Sequence, residues 1–196
     1  MPIYLIRHGE TAWSEQRRHT GRTDVPLNDD GRRQASSLVG LLAGVRPSSV
    51  LTSPLSRARE TCELAGFGAV AEVDPRLAEW DYGEAEGRTT AEIREGDPLW
   101  SVWTHQALGA ETLSAVAART DAVLADLGRR HDLADPDVTV LLFAHAHLLR
   151  ILAARWCEEP PVLGSHLVLD PASVSVLGHE RETRCIVRWN RTADAS

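Results

Sequence analysis

Residues 3–6, Ile-Tyr-Leu-Ile, form a short apolar run rich in strand formers that stops abruptly at Arg7, His8 and Gly9. Such a run is a buried strand opening into a polar site, and it ties the chain to a sheet whose strand ends can carry chemistry. His8 just past a strand end, with Arg7 beside it and Gly9 letting the backbone come close to a ligand, suits attack on a phosphate. The arginine offers a planar fork for phosphate oxygens, and the histidine offers a neutral nitrogen nucleophile. The bland reading is a strand that ends in two polar residues. Arg-His-Gly alone does not separate the two, so the rest of the chain has to.

Further strands are expected at 49–52, 70–73, 138–144, 173–177 and 185–189. Between them lie helical patterns. One is capped by Asn28 or Asp29 and runs to Leu42, with Leu38, Leu41 and Leu42 on one face and Gly44 ending it. Another starts near Pro54, and the longest keeps helical spacing through Leu113, Val116, Ala117, Leu124 and Leu127 up to His131. Residues 12–28 lack a clean period and are expected to form a long loop. Strands alternating with helices imply an α/β fold, a three-layer α/β/α sandwich around a mostly parallel central sheet, with ligands in the crevice at the strand ends. The 196 residues suit one domain spanning 1–196.

Composition narrows the function. Net charge is −7, which argues against nucleic acid as a partner, so an anion site must be a local concentration of positive charge. All 21 basic residues are arginine, and the absence of lysine excludes a Walker A loop, a Schiff-base lysine and a pyridoxal-phosphate site. Cys62, Cys157 and Cys185 are odd in number and far apart, which fits reduced, mostly buried thiols in a cytoplasmic protein. No apolar run reaches a membrane-spanning length, so no membrane partner is expected, while a homo-oligomer stays open.

Other stretches concentrate chemistry. Residues 17–24 are the most basic segment of the chain; a solvated charged loop is the plain alternative. In Ser53-Pro54-Leu55-Ser56-Arg57-Ala58-Arg59, a helix start would aim Arg57 at the strand ends, where its fork joins free backbone donors; Arg59 is structural. Between Arg76 and Gly87 four carboxylates lie among aromatics and glycines, and an apolar setting lets a carboxylic acid hold a proton near neutrality. Glu84 and Glu86 are read as exposed loop charge. His145 and His147 would share a face if the strand continued, so a metal pair is considered; no third ligand lies nearby in sequence, and none is assigned.

Taken together, LIRHGET, HTGRTD with Pro26-Leu27, SPLSRARET, LAEWDYGEAEG and AHAHLLR resemble the histidine phosphatase superfamily, also called phosphoglycerate-mutase-like, over nearly the whole chain. Trp13-Ser14 with residues 19–24, and Trp80 to Gly83 with Trp103 and Glu111-Thr112, are most similar to its sedoheptulose-bisphosphatase-type branch. The resemblance implies that His8 is the nucleophile, Glu79 the general acid and His145 the second histidine. It implies phosphate contacts from Arg7, Arg57, His145, Thr20 and Gly21. Ala146 stands where the family has glycine, Ser14 where many relatives have asparagine, and Ala110 where they often have glycine. His147 is taken as a supporting residue or a helix cap.

The implied reaction is hydrolysis of a phosphomonoester in two steps without a cofactor or metal. His8 attacks phosphorus through one ring nitrogen while a nearby carbonyl holds the other as a donor. Arg7, Arg57 and His145 stabilise the transferring group, and Glu79 protonates the leaving alkoxide and then activates water. The expected substrate is a small phosphorylated metabolite, a sugar phosphate or sugar acid. Ser14, Arg18, His19, Arg22, Tyr82 and Trp103 are the candidate substrate contacts: Arg17, Arg18, His19 and Arg22 would meet a second anionic group, and Trp13, Trp80, Tyr82 and Trp103 would wall the cleft. Two other readings stay open, a phosphoglycerate mutase that returns the phosphate to its substrate and a catalytically silent binder of phosphorylated ligands or of a protein partner.

Overall fold

A computed structural model describes residues 1–132 and 135–193. The strands are β1 (Ile3–Arg7), β2 (Ser49–Thr52), β3 (Ala71–Val73), β4 (Val140–Ala144), β5 (Val174–Glu180) and β6 (Thr183–Arg191), in one sheet of order β3-β2-β4-β1-β5-β6. The first four in that order are parallel neighbours, while β5 runs antiparallel to β1 and to β6. The sheet is thus mostly parallel, with all five residues of β4 buried between β2 and β1.

Side chains alternate across the sheet and divide the core in two. Ile3 and Leu5 of β1, with Val140, Leu142 and Ala144 of β4, face one apolar cluster; Ile6, Leu141 and Phe143 face the other. The helices are α1 (Ala12–Glu15), α2 (Asp29–Leu41), α3 (Ser56–Leu64), α4 (Thr90–Arg94), α5 (Leu113–Arg130) and α6 (Ala146–Trp156). On the first face α5 contributes Val116, Val123 and Leu127 and α6 contributes Leu148, Leu152 and Trp156; on the second lie Leu38 of α2 and Cys62 of α3. These are the three layers the alternation of elements implied. Among the described residues no helix is long and apolar enough to cross a membrane.

Local chemistry explains the helix ends. Asn28 accepts from the Gly31 amide at 2.7 Å to start α2, and Thr112 accepts from the Ala115 amide at 3.0 Å to start α5. Several details differ from the sequence reading. Part of the expected 12–28 loop is α1, because Thr11 and Ser14 cap each other's backbone amides. Helix α3 begins two residues after Pro54, with Leu55 in the capping position. Helix α4 had gone unread although Thr89 and Glu92 form a reciprocal capping box. Strands β5 and β6 run longer than expected because they form a hairpin whose turn places Arg181 at φ 56°, without the Asn-Gly or Asp-Gly that would mark it. Cys62 alone is buried; Cys157 and Cys185 are partly exposed free thiols. Strand β6 runs to Arg191, and positions 194–196 lie outside the described residues.

Three adjacent parallel strands, β2, β4 and β1, end level with one another. Each is followed at once by a polar residue: Ser53, His145 and His8. The backbone ladder continues into them, with the His8 amide donating to the Ala144 carbonyl at 3.0 Å and the Ser53 amide donating to the Phe143 carbonyl at 2.9 Å.

Candidate active site

His8 is buried, and its Nδ1 lies 2.6 Å from the Gly9 carbonyl. A carbonyl only accepts, so Nδ1 carries the proton, and a neutral ring then keeps its lone pair on Nε2. Burial, reinforced by the Arg57 and Arg7 guanidinium groups, lowers the His8 pKa well below 6.5, which keeps the ring neutral. The missing side chain of Gly9 serves the helix and not a ligand: a Cβ there would collide with the Gly31 backbone of α2. Arg7 donates from one terminal nitrogen to the Leu169 carbonyl, and its Nε is buried with no partner. Burial brings the Arg7 pKa down to about 10, against the pull of Glu79 and Asp170, so it stays charged at neutral pH.

His145 is fully buried, its ring centroid 5.1 Å from that of His8. Arg57 Nε, which can only donate, reaches its Nδ1 at 3.2 Å; the proton of the neutral ring is therefore on Nε2, donated to Ser53 Oγ at 2.7 Å. Burial and the neighbouring Arg57 and His8 hold its pKa well below 6.5. The rest of the Arg57 fork clasps the basic loop, donating to the carbonyls of Thr23 at 3.1 Å, Thr20 at 3.1 Å and Gly21 at 2.8 Å. Burial lowers the Arg57 pKa, with Glu79 and Asp24 opposing it. Four of the five guanidinium N–H groups are thus engaged. Thr61 completes this corner, accepting from the Gly9 amide and donating to the Arg57 carbonyl.

Glu79 is buried, but its setting is not simply apolar. Its oxygens accept from the Trp80 amide at 2.9 Å and, at the start of α6, from the His147 and Leu148 amides at 3.1 and 2.9 Å. Arg119 of α5 pins this segment by donating to the carbonyls of Arg76, Ala78 and Glu79 while pairing with Glu111 at 2.8 Å. Sequence reading missed Arg119, Ser53 and Thr61. Each lies in an ordinary helix or strand-end context; Ser53 and Thr61, the first and last residues of SPLSRARET, could have been found from that motif, and Arg119 could not.

A cavity of about 150 Å³ opens onto His8, Arg7 and Glu79. Ser14, Arg18, His19, Thr20 and Tyr82 of the expected contacts line it, and so do Arg17 and His147. Gly21, Arg57 and His145 are not among its lining residues, although the His145 ring lies 5.1 Å from that of His8. Arg22 and Trp103 are not brought to it: Arg22 is exposed and pairs with Asp81 at 3.0 Å, and Trp103 packs on Trp80 and His147 with Arg150 above its ring. Trp80 belongs to the core, so of the aromatic wall only Tyr82 faces the cavity. Glu86 is not idle loop charge, since it accepts from the Arg22 and Thr23 amides. His147 shares a 2.6 Å hydrogen bond with the Tyr82 hydroxyl and is turned away from any pairing with His145. Among the described residues no group of three or more His, Cys, Asp and Glu could hold a metal ion.

The buried neutral histidines have a consequence for stability. Below pH 6.5 the unfolded chain takes up protons at His8 and His145 that the folded chain refuses, so stability falls as pH falls. Each contributes about 1.4 kcal/mol per pH unit until its folded pKa is reached, and so does His147, whose pKa burial and Arg150 also hold well below 6.5. Urea unfolding at pH 7.5 and 5.5 should show a loss of roughly 3–4 kcal/mol, reduced by about a third in His8→Asn. Equal stability at the two pH values would contradict this account.

A parallel sheet with a neutral imidazole and arginines at its strand ends, sandwiched between helices, is the architecture of a phosphoryl-transfer enzyme. The sequence profile of the histidine phosphatase superfamily (branch 1) matches residues 3–192. An acid phosphatase of Mycobacterium tuberculosis is 43% identical over 185 residues, 93% of this chain and 88% of that protein. The sedoheptulose 1,7-bisphosphatase of Saccharomyces cerevisiae is 32% identical over 78% of this chain and 66% of its own length. A solved structure of a mycobacterial glucosyl-3-phosphoglycerate phosphatase with VO3 superposes with a TM-score of 0.87 at 30% identity, covering 97% of this chain and 99% of that one. The chain therefore belongs to the histidine phosphatase superfamily, branch 1, as a phosphomonoester hydrolase.

Proposed function

We propose that the protein hydrolyses small phosphorylated sugars or sugar acids through a phosphohistidine at His8. The observation that carries this reading is the tautomer: with Nδ1 bonded to the Gly9 carbonyl, Nε2 has its lone pair free at the floor of a cavity that also holds Arg7 and Glu79. In the first step Nε2 bonds to phosphorus, the P–O bond to the leaving group breaks, and Glu79 gives that oxygen a proton. In the second, water attacks the phosphohistidine, its proton passes to Glu79, and the P–N bond breaks. Arg7, with its unpartnered buried Nε, and Arg57, with one N–H to spare, meet the phosphoryl oxygens; the Nε2–H of His145 is available to them if it leaves Ser53. Thr20 and Gly21 act mainly by holding Arg57 through their carbonyls.

The relatives named above act, by name, on a sugar bisphosphate and a glycosylated phosphoglycerate, which supports a compact sugar-like substrate. The net charge of −7 supports exclusion of polyanions such as nucleic acid. A panel of sugar phosphates, phosphorylated sugar acids, phosphopeptides and p-nitrophenyl phosphate tests the reading. Hydrolysis of the small esters should survive chelators and be blocked by vanadate, which mimics five-coordinate phosphorus. Activity lost to chelation and restored by zinc or manganese, or a preference for phosphopeptides, would overturn it.

A further inference from the structure

The expectation that the basic loop meets a second anionic group named four residues, and the structure leaves one of them free to do it. The charge of Arg18 is already paired with Glu92 at 3.2 Å, with its Nε and Nη1 also donating to Gln16 and the Gly87 carbonyl at 2.9 and 2.7 Å. Arg22 is paired with Asp81 away from the cavity. His19, its pKa lowered by burial, is a neutral ring beside Thr90, Tyr82 and Trp100. Arg17 lines the cavity with an exposed side chain that has no hydrogen bond or ion pair among the described residues.

Its backbone fixes where the side chain starts. Arg17 sits at φ 57°, in the left-handed region that a side chain makes unfavourable. It is held there by the turn that ends α1, where its amide donates to the Ser14 carbonyl and the Arg18 amide donates to the Trp13 carbonyl. Glycine would take up this conformation without strain, yet the position carries a long cation aimed at the mouth of the cavity. The cavity, at about 150 Å³, is smaller than the roughly 300 Å³ or more that engulfs a drug-sized ligand. A substrate whose phosphoryl group sits against His8 must therefore project its far end to the rim.

We propose that Arg17 is a specificity-determining residue that binds a second anionic group, a phosphate or carboxylate, at the far end of the substrate. Two cationic poles result: Arg7 and Arg57 at the reacting phosphoryl group, and Arg17 at the rim. This inference rests on the phosphatase reading above. Because Arg17 meets a part of the substrate that does not react, it acts on binding more than on the chemical step. A charge-assisted fork at a solvated rim is worth on the order of a tenfold change in KM.

The test compares wild type, Arg17→Gly and Arg17→Lys on fructose 1,6-bisphosphate, 3-phosphoglycerate, fructose 6-phosphate and p-nitrophenyl phosphate. Glycine relieves the left-handed strain, so loss of folding cannot account for a defect. Arg17→Gly should raise KM about tenfold for whichever of the two substrates with a second anionic group the enzyme prefers, with a much smaller change in kcat. The shift for fructose 6-phosphate and p-nitrophenyl phosphate should be several-fold less, and Arg17→Lys should recover part of the loss. The bisphosphate and phosphoglycerate arms separate a second phosphate from a carboxylate. A wild type that hydrolyses p-nitrophenyl phosphate but shows no advantage for either doubly anionic substrate, or a substitution that shifts all four equally, overturns the role of Arg17 and leaves the phosphatase reading standing. Failure to hydrolyse any ester overturns both.

Discussion

His8→Ala is expected to reduce kcat/KM by more than about a hundredfold, a barrier increase above ~2.7 kcal/mol. Among the described residues no nearby serine or cysteine can take over as nucleophile. Ser53 Oγ is engaged by the His145 ring, Ser14 Oγ is locked in the cap of α1, and burial pushes the Cys62 thiol up to about 12 in the apolar layer beneath the sheet. The substitution should also abolish an acid-labile phosphoryl-enzyme trapped from wild type during turnover. It should leave the fold intact, since the ring's one hydrogen bond is to its neighbour's carbonyl. Below pH 6.5 the variant should lose less stability than wild type, because a buried site that resists protonation is gone. Retention of more than roughly a hundredth of the wild-type rate would remove His8 from the chemistry.

Arg57→Ala should damage both stability and activity, and by more than a surface arginine would. The guanidinium is fully buried and joins Thr20, Gly21 and Thr23 of the basic loop to His145. Its removal leaves three carbonyls and a ring nitrogen without their donor, at about 1–3 kcal/mol for each one that water cannot reach. Thr23 is exposed and can be rehydrated, so a net loss of about 2–4 kcal/mol in urea unfolding is expected. The loop also supplies part of the cavity wall, and its release should lower kcat/KM by about 10²–10³. Arg57→Lys should recover little, because an ammonium on a flexible stem cannot reproduce a planar fork with four engaged N–H groups. An Arg57→Ala protein as stable as wild type and within tenfold of its activity would show that the clasp is dispensable.

Much of the fold was legible because the signals are local. The apolar runs at 3–6 and 138–144, the caps at Asn28 and Thr112 and the helical spacing from Val116 to Leu127 each follow from backbone satisfaction and side-chain period within one segment. The elements that escaped, α1, α4 and the full length of the β5–β6 hairpin, are short or are set by partners. A four-residue helix has no amphipathic period to display, and a turn through Arg181 at φ 56° follows from strand pairing and not from its composition.

For the site the division is similar. Local patterning set which residue types stand at the strand ends, because His8, Ser53 and His145 each directly follow a strand. Composition also determined that a phosphate site must rest on arginine, since the chain has no lysine. How each polar group is engaged depends on contacts across the fold. Arg57 clasps carbonyls 34 to 37 residues earlier in the chain, Arg119 holds the Glu79 segment from α5, Arg18 is paired with Glu92, and Trp103 backs His147 and does not wall the cleft. An arginine has the same five donors wherever it stands, and which of them remain free for a ligand depends on long-range packing that no local pattern encodes.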